Sequence, residues 1–198
     1  SIGTISDFTC FSFQAIKHLT TGDGGALCCI EEKLYKKAQN RRWFGIDREN
    51  STPSVLGERV FNIREIGYKY HMNDLAATLG LGNLEGFSKK LERIRDIASK
   101  YRAELGSISG LQLLDYKNDR ESAYWLFTIL VENRDGFIKK MKEKDIPVSV
   151  VHQRIDRYSV FGQLTPELLN QEKFDDNQIA IPIHSGLTNG DIHKIITL

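Results

Sequence analysis

The sequence predicts a mixed α/β protein in two parts. An α/β portion covers residues 1–85 and a compact α+β domain covers residues 86–198. Three observations predict it. Short strand-like runs open the chain on either side of a Gly-rich turn. A sustained helical pattern of Phe87, Leu91, Ile94, Ala98, Tyr101 and Leu105 bridges the two parts. After Gly110 the chain changes to brief apolar runs interleaved with short helical stretches.

Phe8 to Phe13 alternates and is rich in aromatic and β-branched residues, which predicts a strand. Ala26 to Ile30, bounded by glycines and by Glu31-Glu32, predicts a second, buried strand. From Glu31 to Trp43 acidic residues open and basic residues close a helical pattern, with Leu34, Ala38 and Trp43 inward. That charge order suits the helix dipole. Gly45 to Glu65 has no period and predicts a long loop. Asn73 or Asp74 caps a helix beginning at Leu75, and Gly106 ends the long helix that follows.

In the second part, Ala123 to Val131 and Pro147 to Val151 read as strands, as does Ile179 to Ile183. Gly136 to Lys144 reads as a short helix with Phe137, Ile138 and Met141 inward. Thr188 and Asp191 have the spacing of a capping pair for a last helix.

Composition excludes several classes of function. The 198 residues carry 27 Lys plus Arg against 26 Asp plus Glu, so no electrostatic case exists for nucleic acid or an anionic membrane. No apolar run approaches the ~20 residues of a membrane helix. The first residues, Ser1-Ile2-Gly3-Thr4, lack the charged start and apolar core of a secretory signal. Cys10, Cys28 and Cys29 lie in strand-like apolar stretches. They are expected to be reduced, buried thiols of a cytoplasmic protein. No Cys-x-x-Cys or His-x-x-x-His spacing points to a metal.

The chemistry concentrates near residue 17. Ser12 precedes Lys17 by five positions, and Gly22-Asp23-Gly24-Gly25 follows closely. The glycines leave room for a ligand, and the turn fits neither the P-loop nor the dinucleotide pattern. Further on come Gly67-Tyr68-Lys69-Tyr70-His71-Met72-Asn73-Asp74 and then Ala76-Ala77 and Gly80. Together these segments resemble the DegT/DnrJ/EryC1/StrS family of sugar aminotransferases, which use pyridoxal 5'-phosphate (PLP). The looser matches Arg41 to Ile46 and Ile181-Pro182-Ile183-His184 extend the resemblance over nearly the whole chain.

The resemblance implies PLP-dependent transferase fold type I, with residues 1–85 the end of the large domain and residues 86–198 the small one. It implies that Lys17 forms the Schiff base with PLP and relays a proton, and that the Ser12 hydroxyl binds the cofactor phosphate. Lys69 stands where many members have an asparagine that reaches the partner's phosphate, and a lysine serves there as a point charge. His152, Arg154 and Tyr158 occupy the stretch that in relatives lies near the sugar or its nucleotide. A surface loop is the plainer reading of that stretch.

The implied reaction transfers an amino group, from glutamate as donor, to a nucleotide-linked keto-deoxy sugar. The implied assembly is a homodimer with shared active sites. The family's phosphate loop, ring-stacking aromatic and ring aspartate all precede the lysine strand, and none can be assigned here. The expectation is therefore a fragment that does not transaminate alone. A non-catalytic protein on the same fold and a sugar-nucleotide binding module without PLP remain the alternatives.

Overall fold

The computed structural model describes residues 2–198. The chain divides into two units, one ending at Phe87 and the other running Ser88–Leu198. In the first unit, β1 (Phe8–Ser12) pairs antiparallel with β2 (Gly25–Cys29), Phe8 opposite Cys29 and Ser12 opposite Gly25. Helix α1 (Glu32–Arg41) follows, with Glu32 in its first turn and Arg41 in its last. The expected loop after it contains a small hairpin, β3 (Thr52–Pro53) with β4 (Arg59–Val60). Helix α2 (Asp74–Leu84) begins where Asn73 Oδ1 accepts from Ala76 N at 2.9 Å, so the cap is Asn73 rather than Asp74.

One expectation fails in this unit. The β2 strand is largely exposed, and so are the Cys10 and Cys28 thiols, with Cys29 half-buried. A two-stranded ribbon has two faces and no partner layer of its own, so apolar composition does not bury it.

The second unit is built on α3 (Phe87–Leu105) and an antiparallel sheet. The sheet orders β5 (Leu111–Leu113), β6 (Phe127–Val131) and, further along the chain, β7 (Gln178–Ile181). Between β6 and β7 come α4 (Arg134–Glu143), two short 3-10 turns over Ile155–Arg157 and Ser159–Phe161, and α5 (Leu169–Asn177). Helix α6 (Asn189–Ile196) closes the chain on the full Thr188–Asp191 capping box. Ile97, Ala98 and Tyr101 of α3 pack with Phe127 and Ile129 of β6, Ile179 of β7, and Ile192 and Ile195 of α6. At 0% exposure Tyr101 is central: its ring meets Phe127 edge-on at 5.1 Å and its hydroxyl donates to Pro182 O at 2.9 Å.

Two strands are shorter than their apolar runs suggest. The run from Ala123 enters the sheet only at Phe127, because Tyr124 adopts φ 47° and turns the chain. Ser122 Oγ fixes that turn by accepting from Tyr124 N at 3.0 Å. The Pro147–Val151 stretch contributes a single bridge, Ser149 to Ala180. Pro147 has no N–H to extend it. Helix α5 and strand β5 are absent from the sequence-based expectations: α5 has little helical periodicity, and β5 has only three residues.

Candidate functional site

Lys17 sits in a turn closed from several sides. Phe13 N donates to Gly24 O at 2.8 Å, and Thr21 N donates to Phe13 O at 2.9 Å. Lys17 N donates to Gln14 O at 2.9 Å, which closes a turn over residues 14–17. Thr21, 7% exposed, donates its hydroxyl to Asp23 O at 2.9 Å. A Cβ on Gly24 would stand 2.6 Å from Thr21 Oγ1 and one on Gly25 2.6 Å from Phe11 O, so packing demands glycine at these two positions. From α2, Asn83 Nδ2 donates to Thr20 O at 2.9 Å. Lys17 itself is half-buried. Ser12, at the end of β1, is exposed, and its Oγ accepts from Gln14 N at 3.4 Å. Its own O–H is the donor that a phosphate oxygen would take.

The second expected segment lies along the end of α1. Tyr68 N donates to Arg41 O at 2.7 Å, Phe44 N to Tyr68 O at 3.0 Å and Tyr70 N to Arg42 O at 2.9 Å. Lys69 bridges antiparallel to Trp43 and is exposed. Trp43 organises the surroundings: the Arg48 guanidinium lies 4.2 Å from its ring centroid, and the His71 ring meets it edge-on at 4.1 Å. These side chains line a cavity of about 310 Å³. His71 Nδ1 is buried there without a hydrogen-bond partner among the described residues. Nothing in the spacing of Trp43 and Arg48 marks them for a site, because their meeting depends on the path of the loop.

The third segment belongs to the second unit. His152 is exposed, with its ring 5.9 Å from that of Trp125, and its carbonyl accepts from the Gln178 amide. Tyr158 is also exposed. Arg154 differs, at 7% exposure. Its Nε and Nη2 grip Asp156 at 2.9 and 2.6 Å, and Nη2 also donates to Thr165 O at 3.1 Å. Its guanidinium is therefore turned inward and engaged by Asp156 and the Thr165 carbonyl. That pairing and the Thr165 N–H hold the Asp156 carboxyl well below the usual range, at about 2. Sequence reasoning passes over Asp156, Thr165 and Asp175. The Arg-x-Asp spacing is the one available signal, and it is common on solvated loops.

The donor set of the first unit fits a phosphorylated aldehyde such as PLP. Lys17 supplies a primary amine on a hydrogen-bonded turn, Ser12 a hydroxyl at the strand end, and Lys69 an exposed cation. Among the described residues no group of three or more His, Cys, Asp or Glu could hold a metal ion. No helix there is long and apolar enough to cross a membrane.

Solved structures share this architecture. The sugar aminotransferase CalS13 from Micromonospora echinospora matches 99% of this chain and 52% of its own, with a TM-score of 0.91 and 31% identity. The fold is that of the PLP-dependent transferases of fold type I. The model of the DegT/DnrJ/EryC1/StrS aminotransferase family matches residues 1–198, and the chain belongs to that family. The uncharacterized protein MJ1066 of Methanocaldococcus jannaschii is 31% identical over 206 residues, 98% of this chain and 53% of its own. The UDP-4-amino-4-deoxy-L-arabinose--oxoglutarate aminotransferase of Shewanella sediminis is 26% identical over 209 residues, 95% of this chain and 53% of its own. The chain spans about half the length of the curated relatives it matches.

Proposed function

We propose that this chain is the lysine-bearing part of a PLP-dependent aminotransferase that moves an amino group from glutamate to a nucleotide-linked keto-deoxy sugar. The Lys17 turn carries this reading. Its backbone is closed by bonds from Phe13, Thr21 and Asn83, so the amine is presented from a fixed base. An amine and a hydroxyl are groups such a cofactor needs, and the family match over residues 1–198 supports the same role.

When bound, PLP supplies the electron sink that lets an amino group leave one carbon and join another. Lys17 would hold the cofactor through its amine, and its Nζ would take up the proton from the donor's α-carbon. Ser12 donates to the phosphate, and Lys69 offers a point charge to a phosphate. His152 and Tyr158, both exposed, contact the sugar or its diphosphate, while Arg154 acts from within the loop. The relatives are about twice as long, so the remaining cofactor contacts come from further polypeptide of the same protein. A homodimer working in the cytoplasm completes the proposal.

The test is borohydride reduction of the complete protein in the presence of PLP, followed by peptide mass spectrometry. A pyridoxyl group on Lys17 is expected, and Lys17→Ala should abolish both the adduct and the visible absorbance. Reduction that leaves Lys17 unmodified ends the proposal.

A further inference from the structure

The loop carrying Tyr158 has almost no core of its own. Val160 is 82% exposed, Phe161 61% and Leu164 54%, so apolar burial does not hold it. Its order comes from polar contacts that converge on one carboxylate. Asp156 accepts from both Nε and Nη2 of Arg154, and its Oδ2 also accepts from Thr165 N at 2.9 Å. Arg154 Nη2 reaches the Thr165 carbonyl at 3.1 Å, so Arg154 and Asp156 together take both backbone groups of Thr165. The two ends of the loop, residues 154 and 165, are thus joined across the two 3-10 turns between them.

A second carboxylate fixes this assembly to the unit. Asp175, 3% exposed, accepts from Arg154 N at 3.1 Å and pairs with Arg157 at 2.5 Å. Side-chain exposures of 7% for Arg154 and 14% for Asp156 make theirs a nearly buried ion pair. Such a pair adds little net stability over an apolar replacement of the same volume, because desolvation offsets the attraction. What it adds is fixed geometry: a planar fork accepts one orientation of its carboxylate.

We propose that Asp156 is a positioning residue, which clasps Arg154 and Thr165 so that Tyr158 and His152 are held in one arrangement for the diphosphate end of a nucleotide-linked substrate. The inference rests on the reading of His152 and Tyr158 as substrate contacts. Asp156 itself touches no substrate. It acts through the loop, which would otherwise sample many conformations and bind more weakly by the fraction of time spent in the wrong ones.

The experiment uses the complete protein with UDP, GDP and dTDP as probes, each titrated by calorimetry, and the tightest of the three is carried forward. Asp156→Asn keeps the shape and removes the charge. It is expected to weaken binding about tenfold and to speed amide exchange over residues 155–165, while β6 and β7 stay protected. Asp156→Glu keeps the charge and should recover part of both losses; it also carries the test if Asp156→Asn fails to fold. Tyr158→Phe and His152→Ala separate the two ideas. If they weaken binding but Asp156→Asn and Asp156→Glu do not, the clasp inference is wrong. Unchanged exchange across 155–165 in a folded Asp156→Asn protein is equally fatal to it. If neither Tyr158→Phe nor His152→Ala alters binding, or if no probe binds the unaltered protein, the substrate-contact reading fails and takes the inference with it.

Discussion

Gly67 and Gly45 meet backbone to backbone: a Cβ built on Gly67 would stand 2.0 Å from Gly45 N. Gly45 is hemmed in as tightly from the same segment, since a Cβ on it would stand 2.2 Å from Glu65 O. This double contact lets the 67–70 segment hydrogen-bond along the end of α1 and carry Lys69 to its bridge with Trp43. Gly67→Ala should therefore cost more than about 3 kcal/mol, because backbone on both sides must move. A methyl added at Gly82 in α2 would meet nothing within 4 Å, and Gly82→Ala should add about 0.5–1 kcal/mol through helix propensity. Urea unfolding followed by Trp43 emission in a Trp125→Phe background measures both. Equal effects for the two substitutions would refute the contact.

Thr21 braces the lysine turn through its bond to Asp23 O. Thr21→Val preserves shape and removes that donor, leaving the carbonyl unmatched. A loss of about 1–3 kcal/mol is expected. Borohydride trapping of PLP on Lys17 should slow in parallel. Trapping at the unaltered rate in a destabilised protein would mean that the turn does not position the amine.

Alkaline pH should weaken the second unit through Tyr101. Burial, helped by the negative charge of Asp191, pushes its hydroxyl up to about 12. An unfolded tyrosine titrates near 10. Below about pH 10 both states keep the proton and the stabilisation is complete. Above that the unfolded chain loses its proton first, so stability declines until the folded group also titrates near 12. Tyr101→Phe should lower stability at neutral pH by about 1 kcal/mol, since Pro182 O loses its donor, and should flatten the alkaline decline. Urea midpoints from pH 8 to 11 decide it, and an unchanged alkaline slope counts against the assignment.

The last helix depends on its reciprocal cap. Thr188 Oγ1 accepts from Asp191 N at 3.1 Å, and Asp191 Oδ2 accepts from Thr188 N at 2.9 Å. The Thr188 hydroxyl, donating to Asp191 Oδ2 at 2.6 Å, and then the Thr188 N–H hold the Asp191 carboxyl below its ordinary range. Thr188→Ala should cost about 1 kcal/mol near neutral pH. The difference from the parent should shrink on acidification through the carboxylate range, because a depressed carboxyl stabilises only while ionised. A pH-independent difference would assign the loss to something other than the box.

Periodic and paired signals are legible in the sequence. The α3 stripe and the capping box depend on residues three or four apart, and local geometry decides them. So does the Asn73 cap. Cys28 shows where such reasoning stops. An apolar strand reads as buried, but burial depends on which layers lie over the ribbon, and that is not encoded in the strand. Tyr124 ends the β6 run early through a positive φ that no propensity signals for a bulky residue. Arg154 reads as an outward cation, yet its partner lies only two positions away. The Arg-x-Asp pair becomes a clasp because Thr165 and Asp175 arrive from further along the chain. Lys17, Ser12 and Lys69 stand out through the resemblance of their segments; the bonds that shape the turn appear only in the fold.

Asn83 sits in the last turn of α2, 63 residues after the Thr20 carbonyl to which it donates. Lys17 therefore belongs to the same cooperative unit as that helix, although short loops usually open on their own. Fraying at the C-terminal end of α2 releases Thr20 and loosens the lysine turn together with it. The turn shares the opening free energy of a helix end, and whatever steadies α2 also steadies the backbone from which Lys17 projects.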